Sequence, residues 1–185
     1  LICDLKGRKS HNIVSSGLDI LLNLSHRGAV ACDGATGDGA GILMQIPHAF
    51  TTKVAEGVGI QLPPEGAYAS GLVFLPRESA ERDRCMAHIE RAVEEEGQRL
   101  LGWRSVPVNS EVIGDISRHA EPSVHQVFIG RSSDCEDIDH FERKLFVIRK
   151  LAENAVRSEG MSQGHHFHIP SLSAKTTRCE ATSTG

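Results

Sequence analysis

The chain has 185 residues, 39% of them hydrophobic, and a formal net charge of −4, with a sequence pI of about 6.2. That length supports one ordinary core with a subdomain, and the scattered Lys and Arg exclude a polyanion-binding face, so no nucleic-acid partner is expected. No apolar run reaches the length of a membrane span and no signal-peptide pattern opens the chain, so no membrane is expected. Five irregularly spaced cysteines without a Cys-x-x-Cys pair point to reduced thiols in a cytoplasmic compartment rather than a disulfide scaffold or a zinc site.

Leu1-Ile-Cys-Asp-Leu5 reads as a short strand, stopped at Lys6-Gly7-Arg8-Lys9. Ser10 caps a helix to about Leu24, whose apolar positions Ile13, Val14, Leu18, Leu21 and Leu22 recur at helical spacing. A Gly/Asp loop follows, then a strand at about 41–47 ending on Pro47. Ala49 to Val58 is a short helix and Leu62-Pro-Pro-Glu-Gly66 a connector. Tyr68 to Leu75 is a strand closed by Pro76, and Ser79 caps a helix from Ala80 to Glu96. Arg99 to Val108 is a strand interrupted by Gly102, and a linker with Gly114 and Pro122 leads to a strand over Val124 to Gly130. Asp137 starts the strongest helix, to about Ser158, with the stripe Ile138, Phe141, Leu145, Ile148 and Ala152. His166 to Ile169 is a last short strand. The order from 67 to 170 is βαβ twice over, the pattern of a split βαβ sandwich. Thr176 to Gly185 has no apolar periodicity and reads as a divergent or disordered tail.

The stretch with chemistry in it is Leu24-Ser-His-Arg-Gly-Ala-Val30 through Thr36-Gly-Asp-Gly-Ala-Gly-Ile-Leu43. It places five glycines in the fourteen positions 28–41, among Arg27, Asp33 and Asp38. Glycine lets backbone approach a ligand or adopt positive φ, at an entropic cost. Arg27 could equally satisfy the last carbonyls and the dipole of the preceding helix. The Gly37–Gly41 run is neither a Walker A loop nor a dinucleotide fingerprint. His165-His166-x-His168 is not expected to bind metal, because neighbours on a strand point to opposite faces and no Cys or carboxylate stands at ligand spacing. Glu94-Glu95-Glu96 reads as a solvated helix end, Trp103 as core or subdomain interface, and Cys32 as structural.

This stretch resembles the start of the glutaminase domain of the glutamate synthase large subunit, a type-2 glutamine amidotransferase. The resemblance continues through Lys6-Gly-Arg-Lys-Ser-His11, Gln45-Ile-Pro-His48, Val73-Phe-Leu-Pro76, Gly102-Trp-Arg104, Phe141-Glu-Arg-Lys-Leu145, Val147-Ile-Arg-Lys150 and Ile169-Pro-Ser-Leu-Ser173. It covers about 1–176 in order. It implies an α+β fold, the N-terminal-nucleophile αββα sandwich in part, with a βαβ-βαβ split sandwich-like insertion. Residues 1–66 would start the amidotransferase core, 67–176 would form the βαβ-βαβ region, and 177–185 the tail.

The activity implied is hydrolysis of L-glutamine to glutamate and ammonia, the ammonia then aminating 2-oxoglutarate elsewhere in the enzyme. The family's nucleophile is an N-terminal cysteine whose own α-amino group is the general base, backed by an oxyanion hole of an Asn side chain and a Gly N–H. By this likeness the nucleophile lies four residues before Leu1, and Cys3 reads as a buried structural thiol inside a strand. No Asn-Gly dipeptide occurs in the sequence and Tyr68 is its only tyrosine; the departure from the family pattern after Thr176 suggests truncation or a frame change.

What carries over is one active-site wall: Arg27 with His26 and Gly28, and the loop residues Gly37, Asp38 and Gly39. There an arginine can hydrogen-bond backbone carbonyls around the nucleophile, a positioning role. No cofactor is expected in this segment, whereas the full-length family uses FMN and an iron-sulfur cluster. Partners implied are L-glutamine, the remaining synthase domains of the same polypeptide, and a small subunit or ferredoxin. The 185 residues alone are expected to be inactive. The alternative is a non-catalytic binding or regulatory module retaining the amidotransferase fold.

Overall fold

The structure, a computed structural model, describes residues 1–34, 36, 37 and 39–181, with side chains to residue 177. Its elements are α1 (His11–Asn23), β1 (Ala40–Gln45), α2 (His48–Glu56), β2 (Tyr68–Leu75), α3 (Ser79–Glu95), β3 (Arg99–Ser105), α4 (Asp115–Ala120), β4 (Ser123–Gly130), α5 (Ile138–Glu159), β5 (His168–Ser173) and β6 (Thr176–Ala181). They fall into two compact units. One holds residues 1–44, 109–121 and the segment from 178; the other holds 45–108 and 122–177.

The second unit is built on a four-stranded sheet of order β3-β4-β2-β5, antiparallel at every pairing. With α3 between β2 and β3 and α5 between β4 and β5, this is the split βαβ arrangement that the order of elements predicts. Alternation sorts the strand residues to two faces. Ala69, Val73 and Leu75 of β2 and Val127 and Ile129 of β4 join Ile89 and Val93 of α3 and Phe141, Leu145, Ile148 and Ala152 of α5 in one buried cluster. Tyr68 and Phe128 turn the other way and pack with Ile46, Ala55 and Ile60 on the α2 side. The stripe read on α5 is therefore its core face, and Trp103, half-buried against the same cluster, donates its indole N–H to Glu90 at 2.8 Å.

Two glycines have structural causes. Gly71 lies in β2 where an added Cβ would sit 2.7 Å from Leu172 Cδ1 and 2.9 Å from Val127 Cγ1, so neighbouring side chains occupy its space. Gly102 has φ +149 at a register shift between β3 and β4. The glycine that interrupts this strand in sequence thus marks a bulge.

Helix ends follow local chemistry. The Ser10 hydroxyl accepts from Asn12 N–H at 3.1 Å and Asp137 Oδ1 from His140 N–H at 2.6 Å, both caps as predicted. Ser79 is not a cap. The Glu78 carboxylate accepts from Ala80 N–H at 3.1 Å and Glu81 N–H at 2.7 Å, and Ser79 is already the first helical residue.

Four further expectations need correction. Residues 1–5 form no strand. Asp4 Oδ1 instead accepts from the N–H groups of Lys6 and Arg8, and Gly7, at φ +71, donates back to Asp4 O at 2.9 Å. A local turn has taken the hydrogen-bonding capacity that a strand would need from a neighbour. Cys3 is consequently exposed, not a buried structural thiol, and Cys32 is exposed as well. The linker before Pro122 contains α4, and residues 176–181 form β6, paired with β1 in a two-stranded sheet. The last four residues lie outside the described ones.

Burial separates the thiols chemically. Cys85 is buried, and desolvation, followed by the charges of Glu159 and Glu81, pushes its thiol up to about 11. Cys135 is also buried, with Gln98 within 3.5 Å. A thiol reagent at about pH 7.5, read by peptide mass mapping, should label Cys3 and Cys32 in the native protein and Cys85 and Cys135 only after unfolding. Native labelling of Cys85 would contradict this packing.

Candidate functional site

The residues expected to form a wall all belong to the first unit. Helix α1 ends at Asn23, and the Leu24 N–H donates to Ile20 O and Leu21 O at 3.0 and 3.1 Å. A 3-10 turn, Ser25–Arg27, follows, closed by Arg27 N–H to Leu24 O at 2.9 Å and Gly28 N–H to Ser25 O at 3.0 Å. Arg27 therefore stands beyond the helix, not on its last turn, and backbone meets the Ile20 and Leu21 carbonyls. The competing role as a helix-end cation is not the one it fills.

His26, Arg27 and Gly28 are all exposed. Among the described residues no side-chain hydrogen bond or ion pair involves the Arg27 guanidinium. Gly28 is extended, at φ −77 and ψ 149, and an added Cβ would meet nothing closer than Ser25 O at 3.4 Å. Its missing side chain is not required by the fold and leaves the surface beside Arg27 open.

The loop beyond is a small hairpin. Val30 and Gly37 form an antiparallel bridge, Ala31 N–H donates to Thr36 O at 2.7 Å, and Gly34 N–H returns to Ala31 O at 3.0 Å. Gly34 and Gly39 take positive φ, +69 and +77, which favours glycine. Asp33 organises this turn: Oδ1 accepts from Thr36 N–H at 2.8 Å and Oδ2 from the Thr36 hydroxyl at 2.5 Å. It also ties the hairpin to α4, since Ile116 N–H reaches Asp33 Oδ2 and Ser117 N–H reaches Thr36 Oγ1, each at 3.4 Å. Gly114 presses so closely on Asp33 and Thr36 that a Cβ there would overlap both.

The structure thus brings together His26, Arg27 and Gly28 on one turn and places Gly37 and Gly39 in the hairpin's return. Asp38, the remaining wall residue, lies outside the described residues. What sequence reasoning missed is the anchoring pair Asp33 and Thr36 with Gly114. The signal available was an Asp-Gly-x-Thr turn, Asp33-Gly34-Ala35-Thr36, but its partner is some eighty residues away.

Chemically, an exposed guanidinium without a partner among the described residues offers five N–H donors in a planar fork suited to carboxylates and carbonyls. It is a group that binds and orients, not one that abstracts a proton. Among the described residues no three His, Cys, Asp or Glu side chains assemble to hold a metal ion. His165 and His166 sit in a 3-10 turn with ring centroids 4.1 Å apart, away from any such group. No helix among the described residues is long and apolar enough to cross a membrane.

The sequence profile described as glutamine amidotransferases class-II matches residues 1–181. The chain is similar to the large chain of the NADPH glutamate synthase of Bacillus subtilis, 47% identical over 176 residues, covering 95% of this chain and 11% of that protein. The corresponding large chain of Azospirillum brasilense is 35% identical over 176 residues, with the same two coverages. Ferredoxin-dependent glutamate synthase 2 of Arabidopsis thaliana is 35% identical over 175 residues, 95% of this chain and 11% of that one. The chain spans about a tenth of the length of these relatives. On the match over nearly its whole length, the chain belongs to the class-II glutamine amidotransferases.

Proposed function

We propose that these residues form the leading part of the glutaminase domain of a glutamate synthase large subunit, hydrolysing L-glutamine to glutamate and ammonia. The observation that carries this reading is the 47% identity to a glutamate synthase large chain over 95% of the chain. The domain would be an αββα N-terminal-nucleophile sandwich. Its core begins in residues 1–66, and 67–176 add the split βαβ layer. Exposed apolar residues on and just beyond α1 support a layer supplied from outside these residues: Leu18 and Leu22 stand one turn apart, as do Ile20 and the C-capping Leu24.

In this reading a cysteine preceding Leu1 is the nucleophile. Its thiolate adds to the side-chain amide carbonyl and its α-amino group carries the proton to the departing ammonia. Water then hydrolyses the thioester to glutamate. Arg27, flanked by His26 and Gly28 and by the hairpin with Gly37 and Gly39, donates to carbonyls around that nucleophile and holds its loop, and Asp38 is assigned to the same wall from sequence. It positions and does no proton transfer. Asp33 and Thr36 fix the hairpin from behind.

The ammonia would pass to 2-oxoglutarate amination on the remaining synthase domains, where FMN and an iron-sulfur cluster would serve. The described residues here show no metal-ligand group that fits such a cluster. Relatives named for NADPH, NADH and ferredoxin match this chain over 94–95% of its length. The domain is therefore common to all three donors, and a small subunit or ferredoxin would be chosen elsewhere.

Glutamine-dependent ammonia release tests the reading. The polypeptide that includes the preceding cysteine should hydrolyse glutamine, and the 185 residues alone should not. Turnover by the 185 residues that Cys3→Ser abolishes would move the nucleophile to Cys3 and overturn the assignment.

A further inference from the structure

The second unit carries a cleft of about 560 Å³ on α5 and the segment after it, within the volume range of small-molecule sites. None of its lining residues belongs to the unit that holds His26–Gly39. One wall is a single face of α5, where Arg149, Glu153 and Arg157 stand four residues apart on successive turns. Arg149 Nε donates to Glu153 Oε1 at 2.8 Å and Lys150 Nζ to Oε2 at 2.7 Å. One carboxylate thus fixes two cations, and the Arg149 bond uses only its Nε, leaving both terminal nitrogens to donate. Among the described residues Arg157 has no ion pair, so the wall carries a net charge of two.

The floor is apolar, formed by Val156, Met161 and Phe167, all of which pack on the main cluster. Between the lining residues Met161 and Gly164, two residues are tied to α3. The nearly buried Glu81 of α3 accepts from Ser162 N–H and hydroxyl at 2.9 and 2.6 Å and from Gln163 N–H at 2.7 Å. A site whose wall is fixed before binding loses little in ordering. His165 and His168 also line the cleft and add hydrogen-bonding nitrogens.

We propose that this cleft binds a small organic dianion, a phosphate ester or a dicarboxylate, with its charge on Arg149, Lys150 and Arg157 and its carbon skeleton on Val156, Met161 and Phe167. A guanidinium fork suits either anion, and the apolar floor selects an organic body over a bare ion. Arg157 also lies in the last turn of α5, where a cation offsets the helix dipole. That role alone would change stability and leave ligand binding untouched.

Titration calorimetry on the full chain at fixed ionic strength separates these. Phenyl phosphate or benzene-1,3-dicarboxylate should bind saturably with one site and a Kd below about 1 mM. Either result supports the proposal and says which anion the cleft takes. Arg157→Ala and Arg149→Ala should each weaken binding at least about fivefold, while Arg91→Ala, an exposed change on α3, should not. Inorganic phosphate should bind at least about threefold more weakly than the better aromatic probe. No saturable binding of either probe, equal affinity in wild type and Arg157→Ala, or inorganic phosphate binding as tightly as the aromatic probes would each overturn it.

Discussion

Phe141→Ala is expected to lower the unfolding free energy of the second unit by about 3–5 kcal/mol. Phe141 is fully buried in the first turn of α5 and belongs to the cluster that joins α3, α5 and the sheet. Removing the ring forfeits its transfer from water and leaves a cavity that a close-packed interior fills only in part. Against a typical total of about 5–15 kcal/mol, that loss brings the unit near its threshold. The contrasting change is Phe146→Ala, on the opposite face of the same helix and 61% exposed, which should cost no more than about 0.5 kcal/mol. Urea unfolding followed by far-UV circular dichroism reads both. A midpoint for Phe141→Ala within error of wild type would mean that α5 does not pack as described.

Acid should loosen the segment after α5 only below the ordinary carboxylate range. Glu81 is held below the usual carboxylate range, chiefly by the Ser162 hydroxyl and also by the Gln163 and Ser162 amides. Glu159 is held down mainly by His88, with Arg84 assisting. Because both folded values are depressed, their contributions are complete above the unfolded carboxylate range of about 4.3 and are lost as pH falls through the folded values. The amide resonances of Ser162 and Gln163 should therefore move with a midpoint below 4.3, as Glu81 takes up a proton. A midpoint above 4.3 would contradict the hydrogen bonds assigned to it.

Most of the second unit is legible in the sequence because its signals are local. Tyr68–Leu75 is a β-rich run closed by Pro76, and α5 combines a capping Asp137 with an unbroken core stripe, so neither needs a distant partner to be recognised. Residues 1–5 mislead because an apolar run becomes a strand only beside a partner, while Asp4 offers a turn at once. The six-residue α4 has too few turns for periodicity; what shapes its start is the packing of Asp33 and Thr36 on Gly114. Likewise β6 has no apolar pattern and is defined by its pairing with β1. The glycine loop stands out in the sequence as a candidate ligand-approach segment, and the chemistry proposed for it comes from the resemblance. That Arg27 stands beyond the helix end, without a partner among the described residues, is not readable, since a cation just after a helix also suits its dipole.

Arg27→Ala carries the largest effect expected on chemistry. In a polypeptide that includes the cysteine proposed as nucleophile, it should lower kcat/KM for glutamine hydrolysis at least about tenfold, ~1.4 kcal/mol in barrier. A positioning group acts through the geometry of the reacting atoms, so most of the loss should fall on kcat, and misplacement by an ångström is enough to produce it. Arg27→Lys keeps the charge but loses the planar fork, so it should recover only part of the rate. The exposure of Arg27 predicts that neither change alters the melting temperature, which separates a lost contact at the site from a lost fold.

The most direct measurement is the steady-state release of ammonia from glutamine by that polypeptide, wild type against Arg27→Ala, with Arg91→Ala as the exposed-arginine control. The account predicts a loss of at least about tenfold for Arg27→Ala at unchanged melting temperature, and wild-type turnover for Arg91→Ala. Undiminished hydrolysis by Arg27→Ala would remove this turn and its glycine hairpin from the glutaminase site.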